Sequence, residues 1–337
     1  MTALSPIVEI EPPSAVEKQT ELIREVQDGL RSRPRSLQPW MLYDERGSKL
    51  FEQITALPEY YPARIERSLL ERYADSIVAS ACGRSQTLRI VELGAGSASK
   101  TCLLLAAAER MRVRVIYVPL DVSADALDMA CRNIERAFPR VPVEPLVVNY
   151  VTTPPQFKAF AGSTLALYLG SSIGNFSPTE SRTILRNLGS QLDEKDTVLL
   201  GTDLAKDEAT MIQAYDDKAG VTAAFNLNLL NRLNRELNAD FNLDGFKHCA
   251  RWDPIQSRIE MHLESTRCQD VQVPAAGLEF HLGCGETIHT ENSYKFTDET
   301  LSSLLLDSGF EIGTIWEDKH RWYQLTLSRK GAFDECV

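Results

Sequence analysis

No window of this 337-residue chain offers the roughly 18 uninterrupted apolar residues of a membrane-spanning helix. The opening stretch, MTALSPIVEIEPPSAVEKQ, carries acids and prolines where an export signal needs a basic end and an apolar run, so no export is expected. The seven cysteines, at 82, 102, 131, 249, 268, 284 and 336, are odd in number and contain no C-x-x-C pair, which argues against a disulfide framework and a zinc site. Reduced thiols in the cytoplasm are the expectation. The five histidines show no ligand spacing, so no metal is expected. Positive charge is also scarce. Lys plus Arg total 36 against 47 acids, a formal charge of −11 that disfavours nucleic acid as a partner. Heptads, internal repeats and low-complexity tracts are missing as well, which leaves a monomer as the default. What is present is ordinary globular composition, 43% hydrophobic and 25% charged with 18 Gly and 16 Pro, at a length that suggests two domains.

The first twenty residues read as a frayed tail. Helical spacing begins near Thr20, where Leu22, Ile23, Val26 and Leu30 form a stripe. Further helices are expected over 48–57, stopped by Pro58, and over 64–81. From 87 strands and helices alternate: strands at 87–93, 113–120, 143–148, 165–169 and 197–200, with helices at 124–138 and 179–192. That alternation implies a parallel sheet with right-handed crossovers, an α/β fold of the doubly wound kind. The rhythm breaks after Asp203. A mostly helical stretch to 237 and strands at 258–264 and 271–273 read as an insertion, after which a helix at 300–308 and strands at 311–316 and 322–328 return to the first sheet.

The turn Val91-Glu-Leu-Gly-Ala-Gly-Ser-Ala-Ser-Lys-Thr101 follows the first strand, and its glycines let a ligand approach the backbone. It lacks the third glycine of a dinucleotide fingerprint and the G-K-[ST] ending of a phosphate loop. Asp121 ends the second strand, where an acid can accept both hydroxyls of a ribose. Asn149 and Tyr150, after the third strand, could supply an adenine-edge bond and an aromatic face, although such a pair is usually turn chemistry. Together these positions describe a nucleoside site without a phosphate grip, which suits S-adenosylmethionine.

Longer motifs carry a resemblance. Tyr43-Asp44 with Gly47-Ser48, Leu50-Phe51-Glu52-Gln53-Ile54-Thr55, Leu57-Pro-Glu-Tyr-Tyr-Pro62, Val91-Glu-Leu-Gly94, Leu169-Gly-Ser-Ser-Ile-Gly-Asn175, Gly201-Thr-Asp-Leu204, Ala214-Tyr-Asp-Asp217 and Gly220-Val-Thr-Ala-Ala-Phe-Asn226 resemble the L-histidine N-alpha-methyltransferases of ergothioneine biosynthesis. The match runs from about 33 to 328. It implies a Rossmann-like class I SAM-dependent methyltransferase sheet over 63–202 plus 295–337, and an inserted α+β substrate-binding domain over 21–62 plus 203–294.

By the same resemblance the cofactor contacts fall on Tyr43, Gly94, Lys100, Asp121, Asn149 and Tyr150. The chain has Asn149-Tyr150 where the family commonly has Asp-Phe. Lys100 read alone is a solvated helix lysine. The implied histidine pocket is Tyr60, Asn175, Tyr215, Met261, Glu291 and Ser293, with Tyr43 and Asn175 positioning the amine and no evident general base. Read alone, Met261 is a core methionine and Glu291-Asn-Ser293 a surface turn; as an extended segment, its period of two puts both polar groups on one side. The implied reaction is threefold methylation of the histidine α-amine to hercynine, releasing S-adenosylhomocysteine. The alternatives are a relative acting on another amino acid or an indole-derived amine, and a non-catalytic SAM-binding regulator.

Overall fold

The segment TLRIVEL is apolar or β-branched at most positions, and it forms the middle of the five parallel strands in a seven-stranded sheet. The computed structural model describes residues 15–331. Its first part comprises α1 (Ala15–Arg31), β1 (Arg35–Ser36), α2 (Glu45–Thr55) and α3 (Tyr61–Cys82). The alternating part follows as β2 (Thr87–Leu93), α4 (Thr101–Arg110), β3 (Arg114–Asp121), α5 (Ala124–Ala137), β4 (Leu146–Val147), β5 (Ser163–Tyr168), α6 (Pro178–Gly189) and β6 (Thr197–Asp203). Next come α7 (Glu208–Tyr215), α8 (Val221–Leu237), β7 (Phe246–Asp253), β8 (Arg258–Ser265), β9 (Gln269–Val273), β10 (Leu278–Leu282) and β11 (Thr287–Tyr294). The chain then closes with α9 (Asp298–Asp307), β12 (Phe310–Glu317) and β13 (Tyr323–Lys330). No helix among the described residues is long and apolar enough to cross a membrane.

The large sheet has the order β12-β13-β6-β5-β2-β3-β4. Strands β4, β3, β2, β5 and β6 pair in parallel, while β13 runs antiparallel between β6 and β12. The chain builds outward from β2 in one direction, then restarts on its other side at β5. Beyond the carboxyl ends of β2 and β5 lies the crevice in which such sheets bind ligands. Alternation along β2 sends Leu88 and Ile90 into one apolar layer and Val91 and Leu93 into the opposite one.

The second sheet runs β1-β11-β8-β7, with β9 and β10 as a separate hairpin. Leu22, Val26 and Leu30 of α1 join α8 and these strands in one buried cluster, as the stripe predicts. The two sheets meet where the chain leaves and re-enters the larger one. Leu204 and Phe296 form a parallel bridge, and the Phe296 amide donates to the Asp203 carbonyl at 3.0 Å.

Several expectations need correction. The tail expected over 1–20 falls outside the described residues up to 14, and 15–20 are already helical. Helix α2 starts earlier than expected because Asp44 caps it, accepting from the Gly47 amide at 2.7 Å. The strand expected over 143–148 shrinks to two residues plus an isolated Tyr117–Val143 bridge, since Pro142 and Pro145 have no N–H for a ladder. Strands β7 and β10 had no clear signal. Glu291-Asn-Ser293 is not a surface turn but the buried end of β11.

Candidate active site

Gly94 and Gly96 have φ of 67° and 51°, the left-handed region glycine tolerates. A Cβ on Gly96 would point into open space, with no atom within 4 Å, so the turn leaves a cradle beside the end of β2. Across it, the Asp121 carboxyl accepts from the Ser123 amide at 2.9 Å, and burial pushes its pKa up. A carboxyl of this kind keeps acceptor capacity for a diol. The Tyr150 ring packs edge-on to Tyr168 at 5.9 Å. Asn149 is exposed, and its side-chain oxygen accepts from the Val151 amide at 3.2 Å, which is local turn chemistry. Lys100 is not a solvated lysine: it pairs with the fully buried Glu66 of α3. Sequence reasoning missed Glu66, which also accepts from the Gly170 amide at 2.7 Å and the Tyr323 hydroxyl at 2.6 Å.

The second half of the site lies on β11. A register shift between His289 and Glu291 leaves Glu291 and Ser293 buried, and Met261 of β8 sits directly opposite Glu291. Cross-strand partners share a face, so Met261 walls the surface that Glu291 lines. Glu291 Oε1 accepts from Asn175 Nδ2 at 3.2 Å and from the Tyr43 hydroxyl at 3.4 Å. Gly174 makes the first contact possible: a Cβ there would come within 2.8 Å of the Tyr294 carbonyl oxygen, so only glycine lets the 172–175 turn sit against β11. Tyr43 packs edge-on against Phe51 and Phe225 at 5.5 and 5.4 Å.

Tyr60 packs edge-on to Tyr215 at 5.9 Å, and the hydroxyls of Tyr215 and Ser293 are 2.6 Å apart. Tyr215 ends α7, and its position follows from local bonds. Asp217 caps the start of α8 by accepting from the amides of Val221 and Thr222 at 3.0 and 2.7 Å. His248 Nε2 sits 2.7 Å from the Tyr215 carbonyl oxygen, the donor there if Nδ1 accepts from Asn226 at 3.0 Å. Of the residues expected from the resemblance, Tyr43, Tyr60, Asn175, Tyr215, Met261, Glu291 and Ser293 gather around β11, so Tyr43, expected among the cofactor contacts, is bonded on the acceptor side. Gly94 and Tyr150 lie together after β2, where a Cβ on Gly94 would come 3.3 Å from the Tyr150 hydroxyl, whereas Asn149 makes only its local turn bond.

Sequence reasoning also missed a buried charge cluster behind the second group. Lys295 Nζ lies 2.7 Å from Asp203 Oδ2 and donates to Tyr215 and Ser293 hydroxyls at 2.8 Å each. Asp203 accepts in turn from the Tyr61 hydroxyl at 2.9 Å, and Lys206 donates to Tyr61 at 2.7 Å. Burial drives the Lys206 pKa down to about 8, partly offset by Asp203. Two signals were available: an acid at the carboxyl end of a strand, and a lysine two residues beyond Ser293 on the same extended face.

Burial pushes the Glu291 carboxyl up to about 8, with Tyr43 and Lys295 pulling in the other direction. An unfolded glutamate ionises near 4.5, so this group costs stability as pH rises from about 4.5 to about 8. Glu291→Gln is expected to raise the melting temperature of the ligand-free protein by several degrees above about pH 8. The gain should vanish toward about pH 4.5. A difference in Tm that is constant with pH, measured by scanning fluorimetry, would refute that account.

A mostly parallel sheet whose strand order reverses between β2 and β5, with an antiparallel β13, a glycine turn after β2 and an acid ending β3, defines a class I SAM-dependent methyltransferase. Residues 22–330 match the family model for histidine-specific, SAM-dependent methyltransferases, and the chain belongs to that family. It is 41% identical over 312 residues to the histidine N-alpha-methyltransferase of Mycobacterium tuberculosis, covering 92% of this chain and 95% of that protein. It is 39% identical over 307 residues to the one from Mycolicibacterium smegmatis, covering 91% and 94%. Ergothioneine biosynthesis protein 1 of Neurospora crassa is 30% identical over 289 residues, 84% of this chain but 32% of that longer protein.

Proposed function

We propose that the chain transfers methyl groups from S-adenosylmethionine to the α-amino nitrogen of L-histidine, three times in succession, giving hercynine as the first step of ergothioneine biosynthesis. The observation that carries this is the convergence on Glu291 Oε1 of Tyr43 and Asn175, with the Tyr215–Ser293 pair two residues along the same strand. Glu291 accepts one imidazole N–H and Ser293 bonds the other ring nitrogen. Asn175 and Tyr215 take the amino-acid end, with Tyr60 and Met261 as walls. Gly94, Lys100, Asp121, Asn149 and Tyr150, with Tyr43 at the edge, hold the donor. On this reading 63–202 with 295–337 is the donor domain and 21–62 with 203–294 the acceptor domain, in a cytoplasmic monomer.

The donor supplies a methyl already activated on a sulfonium. The residues of this chain then have one task, to hold the amine unprotonated and in line with that methyl, which is orientation more than acid–base work. Tyr43 and Asn175 meet at one carboxyl oxygen and so can contact the amine from two directions. No group of three His, Cys, Asp or Glu among the described residues is placed to hold a metal ion, and none is needed for this chemistry.

Incubation with labelled donor and each amino acid separately is expected to transfer up to three methyls to histidine, as read by mass. Transfer to another amino acid and none to histidine would overturn the reading. A smaller test concerns the donor loop. Asn149→Asp, which restores the charge common in the family at an exposed position, should leave S-adenosylhomocysteine affinity equal or slightly tighter, by up to about threefold. A large loss in calorimetry would mean that this loop does not face the adenosyl group.

A further inference from the structure

Lys295 is fully buried: its ammonium pairs with Asp203 Oδ2 at 2.7 Å and donates to the Tyr215 and Ser293 hydroxyls. A lysine donates and never accepts, so neither hydroxyl proton can point back at it. Only one of those two protons can serve the 2.6 Å bond between Tyr215 and Ser293. The other must point away from both partners. A hydroxyl that accepts from an ammonium is also a stronger donor than a free one, because chained hydrogen bonds polarise one another. Lys206, by contrast, shares Asp203 from its other side, stacks over the Tyr61 ring at 4.3 Å, and makes no contact with either pocket hydroxyl.

From this geometry we infer that Lys295 is a positioning residue that acts through the Tyr215–Ser293 pair, with Ser293 donating to Tyr215 so that the Tyr215 proton faces the amino-acid end, and so makes the pocket require a carboxylate on its substrate. The inference rests on the reading of this site as an amino-acid pocket. The strengthened hydroxyl donor is matched by an anionic acceptor and poorly matched by a neutral carbonyl of similar shape. Asp203 is the buried counter-charge to Lys295, and it also accepts from the Tyr61 hydroxyl.

The test is the ratio of kcat/KM for histidine to that for histidinamide, in which a neutral amide replaces the carboxylate. For the wild-type protein a ratio of about a hundredfold or more is expected, falling below about tenfold in Lys295→Met. Lys295→Gln keeps a donor without the charge, should fall between the two, and serves if the methionine variant does not fold. Lys206→Met also strips a buried cation from Asp203 but spares both hydroxyls, so its ratio should stay within about threefold of wild type. Affinity for S-adenosylhomocysteine, measured by calorimetry, reports folding of each variant. An unchanged ratio in folded Lys295 variants, or equal falls in the Lys295 and Lys206 variants, would overturn the proposal. Methylation of both compounds with equal efficiency by wild type would overturn it alone, whereas methylation of neither would overturn the amino-acid reading of the site as well.

Discussion

Glu291→Ala is expected to lower kcat/KM for histidine by about a hundredfold while leaving S-adenosylhomocysteine affinity within a factor of about two. The carboxyl is buried and bonded to Tyr43 and Asn175, so its removal has two effects. It leaves an imidazole N–H without an acceptor, at about 1–3 kcal/mol, and it releases the two groups that orient the amine. The second effect makes the loss fall on kcat as well as KM. Selectivity should also change: the preference for histidine over phenylalanine or tryptophan narrows, because an unpaired buried acceptor no longer penalises an apolar ring. Equal selectivity in wild type and variant would show that Glu291 does not read the imidazole.

Asp121→Ala is expected to weaken S-adenosylhomocysteine binding by about 10–150-fold, the equivalent of about 1.5–3 kcal/mol for charge-assisted bonds to ribose hydroxyls. Histidine affinity, measured with the donor site saturated, should be far less affected, since Asp121 ends β3 in the large sheet and the acceptor groups lie on β11 and α7. Calorimetry that finds donor affinity intact would remove Asp121 from the site. The carboxyl also accepts backbone amides, so Asp121→Asn provides the check on folding. It keeps one oxygen to accept the Ser123 amide and loses the charge and the second acceptor.

The parts of this site that were legible in the sequence are those whose signal is local. The run at 87–93, the glycines that follow it and the acid ending the next strand all declare themselves within a few residues, because strand, turn and strand end are specified by neighbours. Glu66 on α3 and Lys100 in the turn just before α4 lie 34 residues apart, and nothing in either segment announces the pairing. Strand β1 is two residues long and exists only because Ile288 and His289 offer it a ladder. The buried setting of Glu291 depends on a register shift in β11 that no alternation pattern marks. Resemblance named Glu291 and Ser293, but Lys295 and Asp203, which touch or border the same hydroxyls, carry only the weak signals of a lysine two residues past Ser293 and an acid at a strand end, and their pairing is set by the packing around them.

The bridge between Leu204 and Phe296 has an evolutionary corollary. The excursion from 205 to 295 departs and returns through neighbouring backbone positions, with the Ala205 amide donating to the Phe296 carbonyl at 2.9 Å. A segment whose ends already touch can be lengthened, shortened or exchanged without reshaping the sheet it interrupts. Swapping this excursion among relatives would carry α7, α8 and β11, and with them Tyr215, Met261, Glu291 and Ser293, as one cassette, while the glycine turn and Asp121 stay with the host. Asp203 on the host side and Lys295 at the cassette's last position would then be the suture, and a chimaera that kept one without the other would bury an unmatched charge at the seam.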